Sequence, residues 1–106
     1  MLVLFDQGTP LPLRRFLSDH TVATAYQKGW STLRNGHLLA AAEADGFEVF
    51  VTTDQNIQYQ QNLSSLRLSV VVLSTTKWPK IMLATDLIVT AVAEAKFGEV
   101  TFVQVP

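Results

Sequence analysis

Two aspartates stand just past short apolar runs: Asp6 directly follows Leu2-Val3-Leu4-Phe5, and Asp54 comes two residues after Val49-Phe50-Val51-Thr52. Carboxylates are hard oxygen donors, and two of them held close together repel, which a divalent cation relieves. Magnesium and manganese favour such ligands and often keep several waters. An aspartate after a strand has a plainer use as well, because its side chain accepts from backbone N–H groups two positions on. For either aspartate alone, turn formation is the leading reading. The pair carries more information than either member.

The elements that must position this pair alternate along the chain, the pattern of βα units in a mostly parallel sheet. Leu2–Phe5 reads as a strand covered on both faces. After the turn Gln7-Gly8-Thr9-Pro10 comes a helix over Leu11–Leu17, with Thr9 as cap and Pro10 in its first position. A strand follows over Thr21–Ala25. Asn35 is placed to cap a helix over Gly36–Asp45 that ends at Gly46, with Leu38, Leu39, Ala41 and Ala42 facing inward. The β-branched and aromatic run Glu48–Thr52 reads as a third strand. The polar stretch Asp54–Ser65 is a loop with a turn or two of helix. Leu68–Leu73 is a buried strand. Pro79 opens a long helix to Ala95, where Ile81, Ala84, Ile88, Ala91 or Val92, and Ala95 recur at helical spacing. Val100–Val105 alternates as an edge strand.

These elements predict one three-layer α/β domain over residues 1–106, with a sheet of about five strands. In open parallel sheets, ligands bind outside the carboxyl ends of the strands where the strand order reverses. With the first strand central, the order becomes 2-1-3-4 plus the C-terminal edge strand. Asp6 and Asp54 then flank the switch point together.

Phe5-Asp6-Gln7-Gly8-Thr9-Pro10, Gly29-Trp30-Ser31, Asn35-Gly36-His37-Leu38-Leu39-Ala40 and Val49-Phe50-Val51-Thr52-Thr53-Asp54-Gln55-Asn56, taken in order, resemble a minimal PIN-like domain. The similarity is to the small bacterial PIN-like family related to the VapC-type toxins of toxin–antitoxin loci, and it covers nearly the whole chain. It implies a magnesium- or manganese-dependent ribonuclease, in which acids at the strand ends hold a metal that activates water against a phosphodiester. Asp6 matches the first acidic position, and Asp54 matches the acid of the Thr-x-Asp segment. It also implies an RNA substrate and an antitoxin partner. The chain departs from the family pattern at Gln7 and Gly8, where relatives read Glu-Asn. It departs again at Asn35 and His37, and at Asn56, positions where relatives often carry acids. Apart from Gly8, which stands for a neutral residue, each departure puts a neutral group where a charged ligand would stand, and weakens a cation site.

Other residues are weighed individually. Gln7, Asn35, His37 and Asn56 are candidate supporting groups. His37 could ligate a metal or shuttle a proton, the usual uses of a histidine, although a lone histidine is more often a surface residue. His20 has a weaker claim. Glu43 and Asp45 read as solvated helix acids. Arg14-Arg15 and Tyr59 are candidate nucleic-acid contacts, through phosphates and base stacking respectively. Trp30 and Trp78 suit either core packing or an interface.

Composition closes off several classes. The chain has no cysteine, which rules out disulfides, thiolate zinc and a cysteine nucleophile, and fits a reducing cytoplasm. Met1–Asp6 lacks a basic leader and reads as a strand rather than a signal peptide. No apolar run approaches the roughly 20 residues that span a bilayer. A hydrophobic fraction of 48% with only 16% charged residues argues against disorder and makes a homodimer plausible. The net charge of −1 gives no whole-molecule attraction for nucleic acid, and only Arg14-Arg15 places two cations together. Phosphate loops and serine-hydrolase motifs are absent. Two readings of function follow: a metal-dependent PIN-like ribonuclease, or a catalytically weakened PIN-like module that acts by binding protein or RNA.

Overall fold

Each strand of this protein sends alternate side chains to opposite faces, and both faces are apolar. In the first strand, Val3 and Phe5 enter one core and Leu4 enters the other. Val49 and Val51 join Val3 and Phe5, while Phe50 joins Leu4. Val71 and Leu73 divide in the same way from Val70 and Val72. A sheet that is apolar on both faces must be covered on both, and a three-layer architecture results.

The computed structural model describes residues 1–57 and 62–106. Strands β1 (Leu2–Phe5), β2 (Thr21–Thr24), β3 (Val49–Thr52), β4 (Ser69–Leu73) and β5 (Val100–Val103) form one sheet in the order β2-β1-β3-β4-β5. Every pairing is parallel. The chain moves outward from β1 to β2, then crosses back to β3 on the far side of β1. The strand order therefore reverses at β1. The expected order is found, and β5 extends it as an edge strand parallel to β4.

One face is covered by a 3-10 helix over Leu11–Leu17 and by α2 (Trp78–Ile81) with α3 (Thr85–Ala93). These contribute Leu13, Leu17, Ile81, Ala84, Ile88 and Val92 to the core shared with Val3 and Phe5. The other face is covered by α1 (Asn35–Ala44) through Leu38, Leu39 and Ala42, joined by Phe47, Ile57, Leu63 and Leu68. Gly46 follows α1 in the left-handed conformation (φ 85°), the glycine stop its position predicted. No helix among the described residues is long and apolar enough to cross a membrane.

Several local expectations are corrected. The first helix is 3-10 rather than α. It spans Leu11–Leu17, with Pro12 in its first turn, where the missing N–H costs little. Thr9 does not cap this helix; Pro10 holds the N-cap position without a side-chain bond, because the Thr9 hydroxyl is used elsewhere. Asn35 is the first residue of α1, not its cap, and Arg34 precedes it in extended conformation. The long helix expected over Pro79–Ala95 is two α-helices joined by a 3-10 turn, Met82–Ala84, and it ends at Ala93. Ala84 interrupts the α-helical ladder at φ −121°, ψ 19°. The tighter turn brings residues three apart onto one side, so Ile81 and Ala84 both stay buried ahead of Ile88. β2 stops at Thr24, β3 starts at Val49, β4 starts at Ser69 and β5 stops at Val103. Each is one or two residues inside its expected bound.

Trp30 and Trp78 are both half-buried and packed. Trp30 meets Phe47 edge-on at 6.0 Å, and Trp78 meets Phe16 at 6.1 Å with a 46° tilt. Each flanks one core cluster.

The assignment of α3 to the sheet face predicts a sharp contrast between neighbours. Ile88→Ala, at a fully buried position, should cost about 2–5 kcal/mol in urea unfolding. Leu87→Ala, at a side chain 53% exposed, should change stability by less than about 0.5 kcal/mol.

Candidate functional site

Asp6 leaves β1 at its carboxyl end and stays in register with β3, since the Asp6 N–H donates to the Val51 carbonyl at 3.2 Å. The chain must turn at once, and the Asp6 carboxylate organises that turn. Its Oδ1 accepts from the Gly8 N–H at 3.1 Å, the Thr9 N–H at 3.0 Å and the Thr9 hydroxyl at 2.8 Å. Its Oδ2 accepts from the Thr52 hydroxyl. A carboxylate offers about four acceptor directions, so these four donors occupy most of its capacity.

Two threonines fasten this hub to the neighbouring strand. Thr9 is buried, and its hydroxyl also lies 2.9 Å from the Val51 carbonyl, so its single proton is shared between that oxygen and Asp6. Thr52 is fully buried at the end of β3; while donating to Asp6 it accepts from the Asp54 N–H at 3.0 Å. A relay therefore runs from the Asp54 backbone through the Thr52 hydroxyl to Asp6. Gly8 is required by packing, since a Cβ there would lie 2.5 Å from the Thr53 hydroxyl oxygen.

Adjacent strands thus bring both aspartates to one edge of the sheet, as the switch-point argument expects. Asp54 itself forms a turn, with its Oδ1 accepting from the Asn56 N–H at 3.0 Å. Asn56 enters through its backbone and is exposed. Asp6 and Gln7 line two clefts that lie on either side of the Asp6-Gln7-Gly8 turn. The larger, about 760 Å³, is bounded by Thr9, Pro10, Leu11, Thr24, Tyr26, Gln27, Thr76 and Trp78. The smaller, about 150 Å³, reaches Ala25, Trp30, Ser31, Leu33 and Leu38. Asp54 and Asn56 line neither.

The remaining candidates separate from this edge. His37 is exposed in the first turn of α1 and lines neither cleft. Asn35 opens the same helix. His20 lies at the opposite end of the sheet, where its Nδ1 is 3.3 Å from the N-terminal amine. Glu43 accepts from the Arg67 N–H at 2.6 Å, and Asp45 pairs with Lys28 at 2.8 Å. Both serve the scaffold. Arg14 and Arg15 are exposed on the 3-10 helix that starts at the larger cleft. Tyr59 lies outside the described residues.

A resident magnesium or manganese ion fits this arrangement poorly. Among the described residues, no group of three or more His, Cys, Asp or Glu side chains could hold a metal. The one carboxylate at the cleft is already hydrogen-bonded on both oxygens. Its immediate neighbours, Gln7 and Gly8, carry no charge.

Sequence reasoning missed the two threonines and the turn after β2. Along the chain Thr52 reads only as the end of a strand, and Thr9 as a helix cap. The Thr24-Ala25-Tyr26-Gln27 segment does carry a readable signal, the capping-box spacing of Thr with Gln three residues on. Comparison of the chain with protein-family models, with curated proteins and with solved structures finds no match.

The hub predicts that Thr52→Val, which keeps shape but removes the bridging hydroxyl, costs about 1–3 kcal/mol in chemical denaturation. Thr53→Val next to it, with no comparable bond, should change stability by less than about 0.5 kcal/mol.

Proposed function

We propose that this chain is a PIN-like module that binds single-stranded RNA across the cleft beside Asp6, acting by binding rather than by hydrolysis. One observation carries the reading. Two of the segments that reach the cleft carry cations close by along the chain. Lys77 stands between the lining residues Thr76 and Trp78 with Lys80 shortly after, and Arg14 and Arg15 follow Leu11 on the 3-10 helix. Asp6 lines the cleft, while Asp19 and Asp86 lie beyond these segments. The two segments pack together through Phe16 and Trp78. The chain as a whole carries 8 Lys and Arg against 9 Asp and Glu, so these two segments hold half of its cations, and the acid that lines the cleft, Asp6, is hydrogen-bonded on both oxygens. Phosphates gain most from such a local excess of cations. The residue resemblance to PIN-like domains points to the same class of partner. The neutral groups at Gln7, Gly8, His37 and Asn56 and the occupied oxygens of Asp6 support binding over cleavage.

A metal-dependent ribonuclease is the second reading, and the adjacency of β1 and β3 favours it, because both aspartates then share one edge of the sheet. An antitoxin partner and a cytoplasmic setting belong to that reading. The homodimer suggested by the low charge content has a candidate surface in the exposed Leu83, Leu87 and Phe102. Sedimentation as a monomer at micromolar concentration would remove it.

The binding reading predicts that a fluorescent ten-nucleotide RNA binds at low salt, with an affinity that falls steeply as salt rises. Replacing Arg14, Arg15, Lys77 and Lys80 together by Ala should flatten that dependence, by about 0.7 in the log–log slope for each phosphate that is no longer neutralised. The same RNA should stay intact for hours in millimolar Mn²⁺. Cleavage that disappears with Asp54→Asn would instead establish the nuclease.

A further inference from the structure

We infer that the larger cleft seats a nucleobase against the ring of Tyr26, an inference that rests on the RNA reading and extends it to a specific contact. Tyr26 lines the cleft with 77% of its surface exposed. Exposure on a loose loop would mean little, but the turn that carries this tyrosine is closed from several sides. The Gln27 N–H donates to the Thr24 hydroxyl at 3.0 Å, and the Thr24 N–H donates to Gln27 Oε1 at 2.9 Å. This reciprocal pair is the capping-box arrangement. Lys28 N–H to the Thr24 carbonyl (3.1 Å), Gly29 N–H to the Tyr26 carbonyl (3.0 Å) and Trp30 N–H to the Ala25 carbonyl (2.8 Å) complete the turn. Buried Ala25 ties it to the end of β1 through a 2.8 Å bond to the Phe5 carbonyl. The backbone of Tyr26 is thereby fixed to the sheet while its ring faces solvent. A planar ligand that covers the ring then has only the side-chain torsions to order, not the loop.

The rest of the cleft matches the same ligand. Its volume of about 760 Å³ falls in the range of small-molecule sites. Trp78, Leu11 and Pro10 give it apolar walls. Its polar groups are neutral apart from Asp6. Because the Thr24 N–H fixes Gln27 Oε1 as an acceptor, the amide nitrogen of Gln27 is left as a donor. Gln7 and Thr76 add an amide and a hydroxyl. Uncharged donors around an aromatic platform suit the flat, acceptor-bearing rings of nucleobases, and stacking tolerates any base.

Trp78 lines the cleft and reports directly. In a Trp30→Phe background it is the sole tryptophan. Uridine and guanosine should quench its fluorescence saturably in the millimolar range, whereas ribose should not. Tyr26→Ala should weaken nucleoside and RNA binding by about tenfold, with an unchanged urea midpoint and an unchanged salt slope, while Tyr26→Phe retains affinity. If RNA binds the parent but nucleosides leave Trp78 unperturbed, or if Tyr26→Ala binds as the parent does, the stacking site is overturned and the RNA reading stands. If nucleosides bind in a Tyr26-dependent way and RNA does not, the stacking site stands as one for free nucleotides and the RNA reading falls. Failure of both ligands overturns both.

Discussion

The loop at the carboxyl end of β1 depends on a single carboxylate that collects donors from two strands. Asp6 receives the N–H groups of Gly8 and Thr9 and the hydroxyls of Thr9 and Thr52. The first two shape the turn out of β1. The last joins that turn to the end of β3, and Thr9 reinforces the junction through the Val51 carbonyl. Parallel strands cannot be linked by a short hairpin, so the register at their ends must be set by such side-chain contacts as well as by the ladder. A carboxylate suits the task, because charge-assisted acceptors bond more strongly than neutral ones. No buried side-chain polar atom among the described residues is left without a partner, in agreement with a junction whose polar groups are mutually satisfied.

That same satisfaction limits the chemistry. A metal ligand needs oxygen lone pairs directed at a vacant position, and a charge that nothing else neutralises. Four donors already occupy most of the acceptor capacity of Asp6, and Gln7 and Gly8 beside it are neutral. Arg14 and Arg15 stand on the 3-10 helix and Lys77 and Lys80 around the start of α2, outside the residues that line the cleft.

The cleft owes its shape to the way the chain leaves three strands. After β1 the turn around Asp6 rises into the 3-10 helix. After β2 the capping-box turn lifts Tyr26 toward solvent. After β4 the chain passes Thr76 and enters α2 at Trp78. These exits lie on one edge of the sheet because every strand is parallel, and they diverge around the point where the strand order reverses. The cleft is therefore a consequence of topology. Its lining is a matter of which side chains the three exits carry.

Much of this was legible in the order of residues. The runs Leu2–Phe5, Val49–Thr52 and Leu68–Leu73 are too short for helices and too apolar for a one-sided sheet, so buried parallel strands followed. The 2-1-3-4 order and the shared edge of Asp6 and Asp54 followed only on placing the first strand at the centre, as the structure does. Local chemistry read correctly where it acts over a few residues, as at Gly46. It misassigned Thr9 and Asn35, whose types suit helix caps. For Thr9 the reason is that a hydroxyl bonds to whichever partner the fold brings nearest. Asp6 lies three residues back along the turn, and Val51 meets Thr9 only once β1 and β3 are side by side. The split between α2 and α3 was likewise hidden, since Ile81, Ala84 and Ile88 repeat at a spacing that a continuous helix also satisfies. The packing of Phe16 against Trp78 also joins segments about sixty residues apart. Periodicity and residue type act along the chain and determined the layers. Packing acts across it, and it alone decided which polar groups meet and which aromatic ring is left facing solvent.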